Sequence, residues 1–167
     1  NDNLAAYNGT SWSFIGNSTG ISSAILASTA THQVTSMVEY EGELIVAGKF
    51  DMIDGTLVHN IASWNGTTWT YLKGDPTFEG GGVGGDEAFN YVPYVKDLAV
   101  FNDILYIAGN IDNLYNIDYQ ETNATAVSRN IVLWDGVDFY NPNKQPFANT
   151  VLQGVTVHDG KIYFGIS

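Results

Sequence analysis

Ile61-Ala62-Ser63-Trp64-Asn65-Gly66-Thr67-Thr68-Trp69-Thr70-Tyr71-Leu72 alternates apolar and polar residues on both sides of an Asn-Gly pair. Asn-Gly favours positive φ, so the stretch reads as a β-hairpin turning at Asn65-Gly66. Related stretches are Leu4-Ala5-Ala6-Tyr7-Asn8-Gly9-Thr10-Ser11-Trp12 and Ile131-Val132-Leu133-Trp134-Asp135-Gly136-Val137-Asp138-Phe139, and in each copy the two aromatics stand five apart.

A second hairpin lies between these copies and repeats as well: Val34 to Phe50 turning at Glu41-Gly42, Val95 to Ile111 turning at Asn102-Asp103, and Leu152 to Ile166 turning at Asp159-Gly160. The chain is therefore a repeat protein. Leu4 to Ile61 is 57 residues and Ile61 to Ile131 is 70, whereas Gly42 to Asp103 is 61 and Asp103 to Gly160 is 57. Periods that vary around constant hairpins place the insertions in loops. One unit holds strands a (Val34 to Tyr40), b (Glu43 to Phe50), c (Asn60 to Trp64) and d (Thr67 to Leu72), lengths that suit a four-stranded antiparallel meander. No segment sustains a capped 3.6-residue apolar period, and Ile21 to Thr29 is the one ambiguous stretch.

At 167 residues and 44% hydrophobic, the chain suffices for a sizeable core in one domain, residues 1–167, with repeat units near 3–50, 60–111 and 130–167. Six basic against 18 acidic residues, a net charge of −12, argue against nucleic acid or an anionic membrane as partner, since both require a positive face. No apolar run approaches the roughly 18 residues of a membrane span, so no direct membrane insertion is expected. The absence of Cys excludes disulfides, thiolate metal sites and a Cys nucleophile, and leans toward a bacterial origin. No signal peptide is visible and the chain opens on Asn1 without Met, so a matured chain or a piece of something longer is expected.

An apolar strand, a short turn, a strand closing on Ala47-Gly48, a variable loop, then a strand ending in an aromatic before a turn and a Trp resemble the kelch-type β-propeller repeat. The matching small-Gly pair is Ala108-Gly109 in the second copy and Phe164-Gly165, a departure, in the third. Val38-Glu39-Tyr40-Glu41-Gly42-Glu43-Leu44-Ile45-Val46-Ala47-Gly48-Lys49-Phe50 followed by Asn60-Ile61-Ala62-Ser63-Trp64-Asn65-Gly66-Thr67-Thr68-Trp69 resembles the repeats of large secreted and cell-surface proteins of Bacteroidetes. The fungal cortical landmark glycoproteins carry a looser version. The resemblance spans nearly the whole chain and implies an all-β fold of propeller blades, with strand a innermost. The order c, d, a, b three times over gives about three blades' worth. Propellers have about four to eight, so the segment is expected to be part of a larger propeller, completed by the same chain or by a second copy.

In such a meander the a-b and c-d turns share one end and the b-c and d-a connections the other. The a-b and c-d turns are all tight, whereas the long segments 16–33, 51–59, 74–93, 112–129 and 141–150 are all b-c or d-a. Elaborated loops on a rigid scaffold are where binding concentrates, so the candidate ligand face holds Asp51, Asp54, Glu79, Asp86, Glu87, Tyr115 and Asp118. Carboxylates beside Gly-permitted turns suit a Ca²⁺ site, for which 112–118, with Asp112 and Asp118, and 51–55 are the candidates; neither has EF-hand spacing. No other cofactor is expected. Glu79-Gly80-Gly81-Gly82-Val83-Gly84-Gly85 lacks the Gly-Lys-Ser/Thr of a phosphate loop and reads as a flexible crossover.

The repeated aromatics Tyr7, Trp12, Trp64, Trp69, Trp134 and Phe139 read as packing between adjacent sheets rather than as sugar-stacking platforms. His32, His59 and His158 occupy unrelated repeat positions and form no metal-spaced cluster. Sequons occur at Asn8, Asn17, Asn65 and Asn123, candidate N-glycosylation sites, of which Asn8 and Asn65 belong to the hairpin turns where Asn-Gly is wanted for φ. The sequence has no Gly-x-Ser-x-Gly and no Cys nucleophile. The resemblance implies a secreted or cell-surface setting and the sorting of the loops a binding face, so the expected function is a non-enzymatic extracellular or cell-surface binding and adhesion module whose partner is a surface protein or glycan. The alternatives are a structural spacer propeller in a large cell-surface protein, including one of the fungal polarity-landmark glycoprotein type, and a hydrolase or lyase using Asp112 and Asp118 as acid and base.

Overall fold

A computed structural model describes residues 4–16, 20–22, 32–72, 81–84, 94–111, 113–115, 130–140, 142 and 151–166. Among them every regular element is a strand. The chain opens with β1 (Leu4–Tyr7), β2 (Trp12–Ile15) and β3 (Ile21–Ser22), then β4 (Gln33–Tyr40) and β5 (Glu43–Lys49). Two short strands, β6 (Met52–Ile53) and β7 (Thr56–Leu57), precede β8 (Ile61–Trp64) and β9 (Trp69–Tyr71). The second half holds β10 (Gly82–Gly84), β11 (Tyr94–Phe101), β12 (Ile104–Asn110), β13 (Asn113–Tyr115), β14 (Ile131–Trp134) and β15 (Phe139–Tyr140). It ends with β16 (Leu152–His158) and β17 (Lys161–Ile166).

Two antiparallel sheets carry the whole expected a-b-c-d order, β4-β5-β8-β9 and β11-β12-β14-β15. Hairpin β1-β2 is a c-d pair alone, and β16-β17 an a-b pair alone. The inserted segments also pair: β3-β6-β7 form one small sheet and β10-β13 another. Segments 51–59 and 81–84 are thus not irregular loop and crossover. The Asp54-Gly55 dipeptide between β6 and β7 has φ of 49° and 82°, a mirror-image turn that matches strand twist.

That turn chemistry also falls elsewhere than expected. The a-b turns are the two-residue mirror-image ones, with both φ values positive at Glu41-Gly42, Asn102-Asp103 and Asp159-Gly160. The c-d turns are four-residue loops in which only Gly9, Gly66 and Gly136 have positive φ. Asn8, Asn65 and Asp135 serve instead through their side chains: Asn65 Oδ1 accepts the N–H of Thr67 at 3.0 Å and of Thr68 at 2.9 Å, and Asn8 and Asp135 repeat the pattern. Asn serves there as an acceptor, a role that Asp135 also fills.

Each complete sheet is buried on both faces, because alternate residues point to opposite sides. On β5, Ile45 and Ala47 enter a core shared with Leu98, Leu105 and Trp134 of the second sheet, while Val46 joins Phe50, Ile53 and Trp69 on the side of β1-β2. On β12, Leu105 and Ile107 face the first sheet and Ala108 faces Leu152 and Val155 of β16. The a strands stand side by side, β11 against both β4 and β16. All three carry a β-bulge at the same place, between Val34 and Ser36, Val95 and Asp97, and Leu152 and Gly154. The bulge aims Asp97 across the row. Its Oδ1 accepts the Ser36 hydroxyl at 2.8 Å, and its Oδ2 accepts the Val155 N–H at 2.9 Å, so one carboxylate ties three sheets.

Register corrects the repeat alignment at its third copy. Ala47 pairs with Ser36, Ala108 with Asp97 and Gly165 with Gly154, so Gly165-Ile166, not Phe164-Gly165, stands where the other copies have Ala-Gly. Gly48 and Gly109 are demanded sterically: a Cβ on Gly48 would run into the Gln33 carbonyl, and one on Gly109 into that of Tyr94.

Candidate functional site

The two ends of the sheets differ in how the chain closes. At the tight-turn end, the Tyr40 hydroxyl donates to the Asp103 carbonyl of the next sheet at 3.0 Å. Burial raises the pKa of Tyr40, with further upward pushes from the charges of Glu41 and Asp135, the Tyr140 phenol and Asp103. Asp135 is held low by the backbone N–H groups of Asp138 and Val137. This gathering of Glu41, Asp103 and Asp135 around two tyrosines crosses sheets, and no sequence motif announces it.

At the elaborated end, the first two d-a segments each pair, through their described residues, with the following b-c segment. Ile21 pairs with Ile53 and Ser22 with Met52; Gly82 pairs with Tyr115, Val83 with Leu114 and Gly84 with Asn113. Asp54 clamps the first of these platforms: its N–H donates to the Gly20 carbonyl at 2.8 Å, and its Oδ1 accepts the Gly20 N–H at 2.9 Å.

Asn60 anchors the second platform to the first complete sheet. It is buried at φ 62°, its N–H donates to the Phe50 carbonyl at 2.7 Å and its carbonyl accepts Gly48 N–H at 3.0 Å. Its Oδ1 accepts the Phe50 N–H at 3.2 Å and its Nδ2 donates to the Val83 carbonyl at 2.9 Å. Asn130 repeats the backbone half, at φ 79° with Gly109 N–H on its carbonyl and its own N–H on that of Ile111. The signal was present in the sequence as Asn immediately before strand c, at Asn60-Ile61 and Asn130-Ile131. It was missed because a buried Asn in the left-handed region leaves no periodicity.

His59, next to Asn60, is buried and exchanges backbone bonds with Gly81 and Val83. A Cβ on Gly82 would strike the His59 carbonyl, so this glycine serves a close backbone approach. Burial lowers the His59 pKa, opposed by the charge of Asp51, itself buried.

Of the expected ligand-face residues, Asp51 is therefore turned inward beside His59 and Asp54 is half-buried on the Gly20 backbone. Tyr115 lies on β13. Glu79, Asp86, Glu87, Asp112, Asp118, Asn17 and Asn123 lie outside the described residues. Among the described residues, no group of three or more Asp, Glu or His is placed to hold a metal ion. Asn8 and Asn65 sit on exposed turns. The aromatics pair across each c-d hairpin, with ring centroids 4.9 Å apart for Tyr7-Trp12, 5.0 Å for Trp64-Trp69 and 4.6 Å for Trp134-Phe139. Trp69, Trp134 and Phe139 are buried between sheets, whereas Tyr7 and Trp12 are exposed.

Comparison with family models, with curated proteins and with solved structures finds no match to this chain.

Proposed function

We propose that the sheets are blades of a β-propeller and that the chain is a non-enzymatic binding module of an extracellular or cell-surface protein, contacting a surface protein or glycan with its elaborated end. One observation carries the reading. Among the described residues, parts of four inserted segments form paired strands, 21–22 with 52–57 and 82–84 with 113–115, clamped by Asp54 and Asn60, whereas the opposite end carries only tight turns. A rigid extra layer on one end is what a contact surface needs. The surface setting rests on the resemblance to secreted repeat proteins. One observation favours a second reading, a structural spacer: Asp51 and Asp54 are engaged within the protein rather than presented outward.

Because the chain has no Cys, single cysteines allow each end to be blocked in turn. Thr56→Cys on the elaborated end and Thr67→Cys on the exposed c-d turn are each coupled to a bulky maleimide, and the proteins are applied to a printed glycan array and to intact cells. Binding lost with the adduct at position 56 and kept with that at 67 is expected. Loss only at 67, or at both alike, sinks the assignment of the face, and no binding by the unmodified chain favours the spacer.

A further inference from the structure

The three c-d loops fill one role with two kinds of side chain. Asn8 and Asn65 each stand before a Gly and a Thr, and Asp135 before Gly136 and Val137. Through Oδ1, Asn8 accepts the N–H groups of Thr10 and Ser11, Asn65 those of Thr67 and Thr68, and Asp135 those of Val137 and Asp138, at 2.8–3.0 Å. All of these bonds lie within the loop itself, and both Asn side chains are exposed to water. Asn before Gly is open to attack by its own backbone, because Gly has no Cβ to shield the nitrogen that follows the Asn.

The two Asn loops differ in how firmly the amide is held. Asn65 Oδ1 accepts a third bond, from Thr67 Oγ1 at 2.9 Å, and Asn65 Nδ2 donates to Thr68 Oγ1 at 3.1 Å. Among the described residues the Asn8 amide has neither, and Thr10 and Ser11 give it only their N–H groups. Four bonds therefore guard the Asn65 amide and two guard that of Asn8.

We propose that Asn8-Gly9 and Asn65-Gly66 are sites of spontaneous deamidation, that the hydrogen bonds of the loop set the rate in the folded protein, and that Asn8 is converted first. The Gly nitrogen gives up its proton and bonds to the Asn Cγ, the Cγ–Nδ2 bond breaks, and Nδ2 leaves with that proton as ammonia. Water then opens the five-membered imide at one of its two carbonyls, giving an aspartyl residue or an isoaspartyl link. In sum, amide and water become acid and ammonia, with nothing oxidised or reduced. Closing the imide ring requires Cγ to turn onto the Gly nitrogen. In the folded loop the same carbonyl reaches past the glycine to the next two residues, so its bonds have to break first. Asp135 shows the aspartyl product in place, its carboxylate accepting the same two N–H groups. Each conversion adds a negative charge to the tight-turn end, which already holds Glu41, Asp135 and Asp138. None of this depends on the propeller reading or on which end binds a partner.

The chain is aged at mildly alkaline pH, folded and in urea, and conversion at each Asn is followed by peptide mass and by the appearance of more acidic species on ion exchange. In urea the two sites, both Asn-Gly-Thr, report the unguarded reaction. Divided by its rate in urea, each folded rate should fall below one, and that of Asn65 should lie below that of Asn8 by about tenfold, the worth of its two additional bonds. Thr67→Val together with Thr68→Val, at exposed positions, removes both hydroxyls and keeps both N–H groups, so it should bring the folded rate at Asn65 up to that at Asn8. Folded rates at or above those in urea overturn the proposal. So do equal normalised rates at Asn8 and Asn65 in the parent, or a rate at Asn65 that the double variant leaves unmoved.

Discussion

Replacing Asn60 by Ala and by Gly separates the two things this residue does. Ala removes the side chain that accepts the Phe50 N–H at 3.2 Å and donates to the Val83 carbonyl at 2.9 Å, and it holds a Cβ in the left-handed region at φ 62°. Phe50 is fully buried, so its N–H has no route to water, and a buried donor left without a partner costs about 1–3 kcal/mol. The Val83 carbonyl has a second lone pair, so its loss is the smaller. An L-residue other than Asn or Asp in the left-handed region adds about 1–2 kcal/mol. Asn60→Ala should therefore cost about 3–4 kcal/mol and Asn60→Gly about 2, against a total stability of about 5–15 kcal/mol for a domain. Urea unfolding at pH 7, followed by tryptophan fluorescence, reads both as shifts of the midpoint at constant slope. An Ala variant within about 0.5 kcal/mol of the parent, the range of an inconsequential surface change, refutes the anchoring role. Equal losses in the two variants would remove the backbone half of the reasoning and leave the hydrogen bonds.

Three further outcomes follow from the same structure. Asp97→Ala deprives the Ser36 hydroxyl and the Val155 N–H of their acceptor, and should cost about 2 kcal/mol in urea unfolding, while Ser36→Ala, which leaves the Val155 bond in place, should cost less. Burial lowers the His59 pKa below its unfolded value of 6.5, so its neutral form contributes stability that is fully present above pH 6.5 and is lost as pH falls toward the lowered folded value. The urea midpoint should decline across that window and the decline should shrink in His59→Gln; an unchanged slope refutes it. Tyr40 has the opposite sign: its raised pKa gives stability present below pH 10.0 and lost as pH rises above it, so Tyr40→Phe should flatten the alkaline limb and lose about 1 kcal/mol at neutral pH with the Asp103 bond.

The hairpins were legible because alternation and spacing depend only on neighbours in the chain. Ile45, Val46 and Ala47 announce a strand buried on both faces, and the five-residue spacing of Trp64 and Trp69 marks a facing pair across a four-residue loop. What the Asn of that loop does was misread, since Asn-Gly favours two turn types and only the structure shows Asn65 acting through its side chain. The Asp54-Gly55 hairpin carried the stronger turn signal, yet its two-residue strands are too short for alternation to register. The candidate site was less readable still. Acidic residues in a long segment suggest an outward face, but Asp51 and Asp54 are drawn inward by His59 and by the Gly20 backbone, partners that become neighbours only once the chain has folded.

The restriction of insertions to one end has a physical basis in how each connection is closed. The tight turns admit no added residue: the a-b turns need two successive positive φ values, and the c-d turns need an Asn or Asp oxygen within reach of two N–H groups two and three residues on. The b-c connection is closed differently. Phe50 and Asn60 bond back to each other, as do Ile111 and Asn130, and strand c then begins in register whatever lies between. The intervening segments 51–59 and 112–129 hold 9 and 18 residues, a doubling that leaves both sheets with the same four b-c pairs. A doubled loop costs only about 0.6 kcal/mol of closure entropy, far less than the anchor supplies. Variation is therefore cheap beyond Asn60 and Asn130 and forbidden at the opposite turns, so any surface that differs from repeat to repeat has to form at the elaborated end.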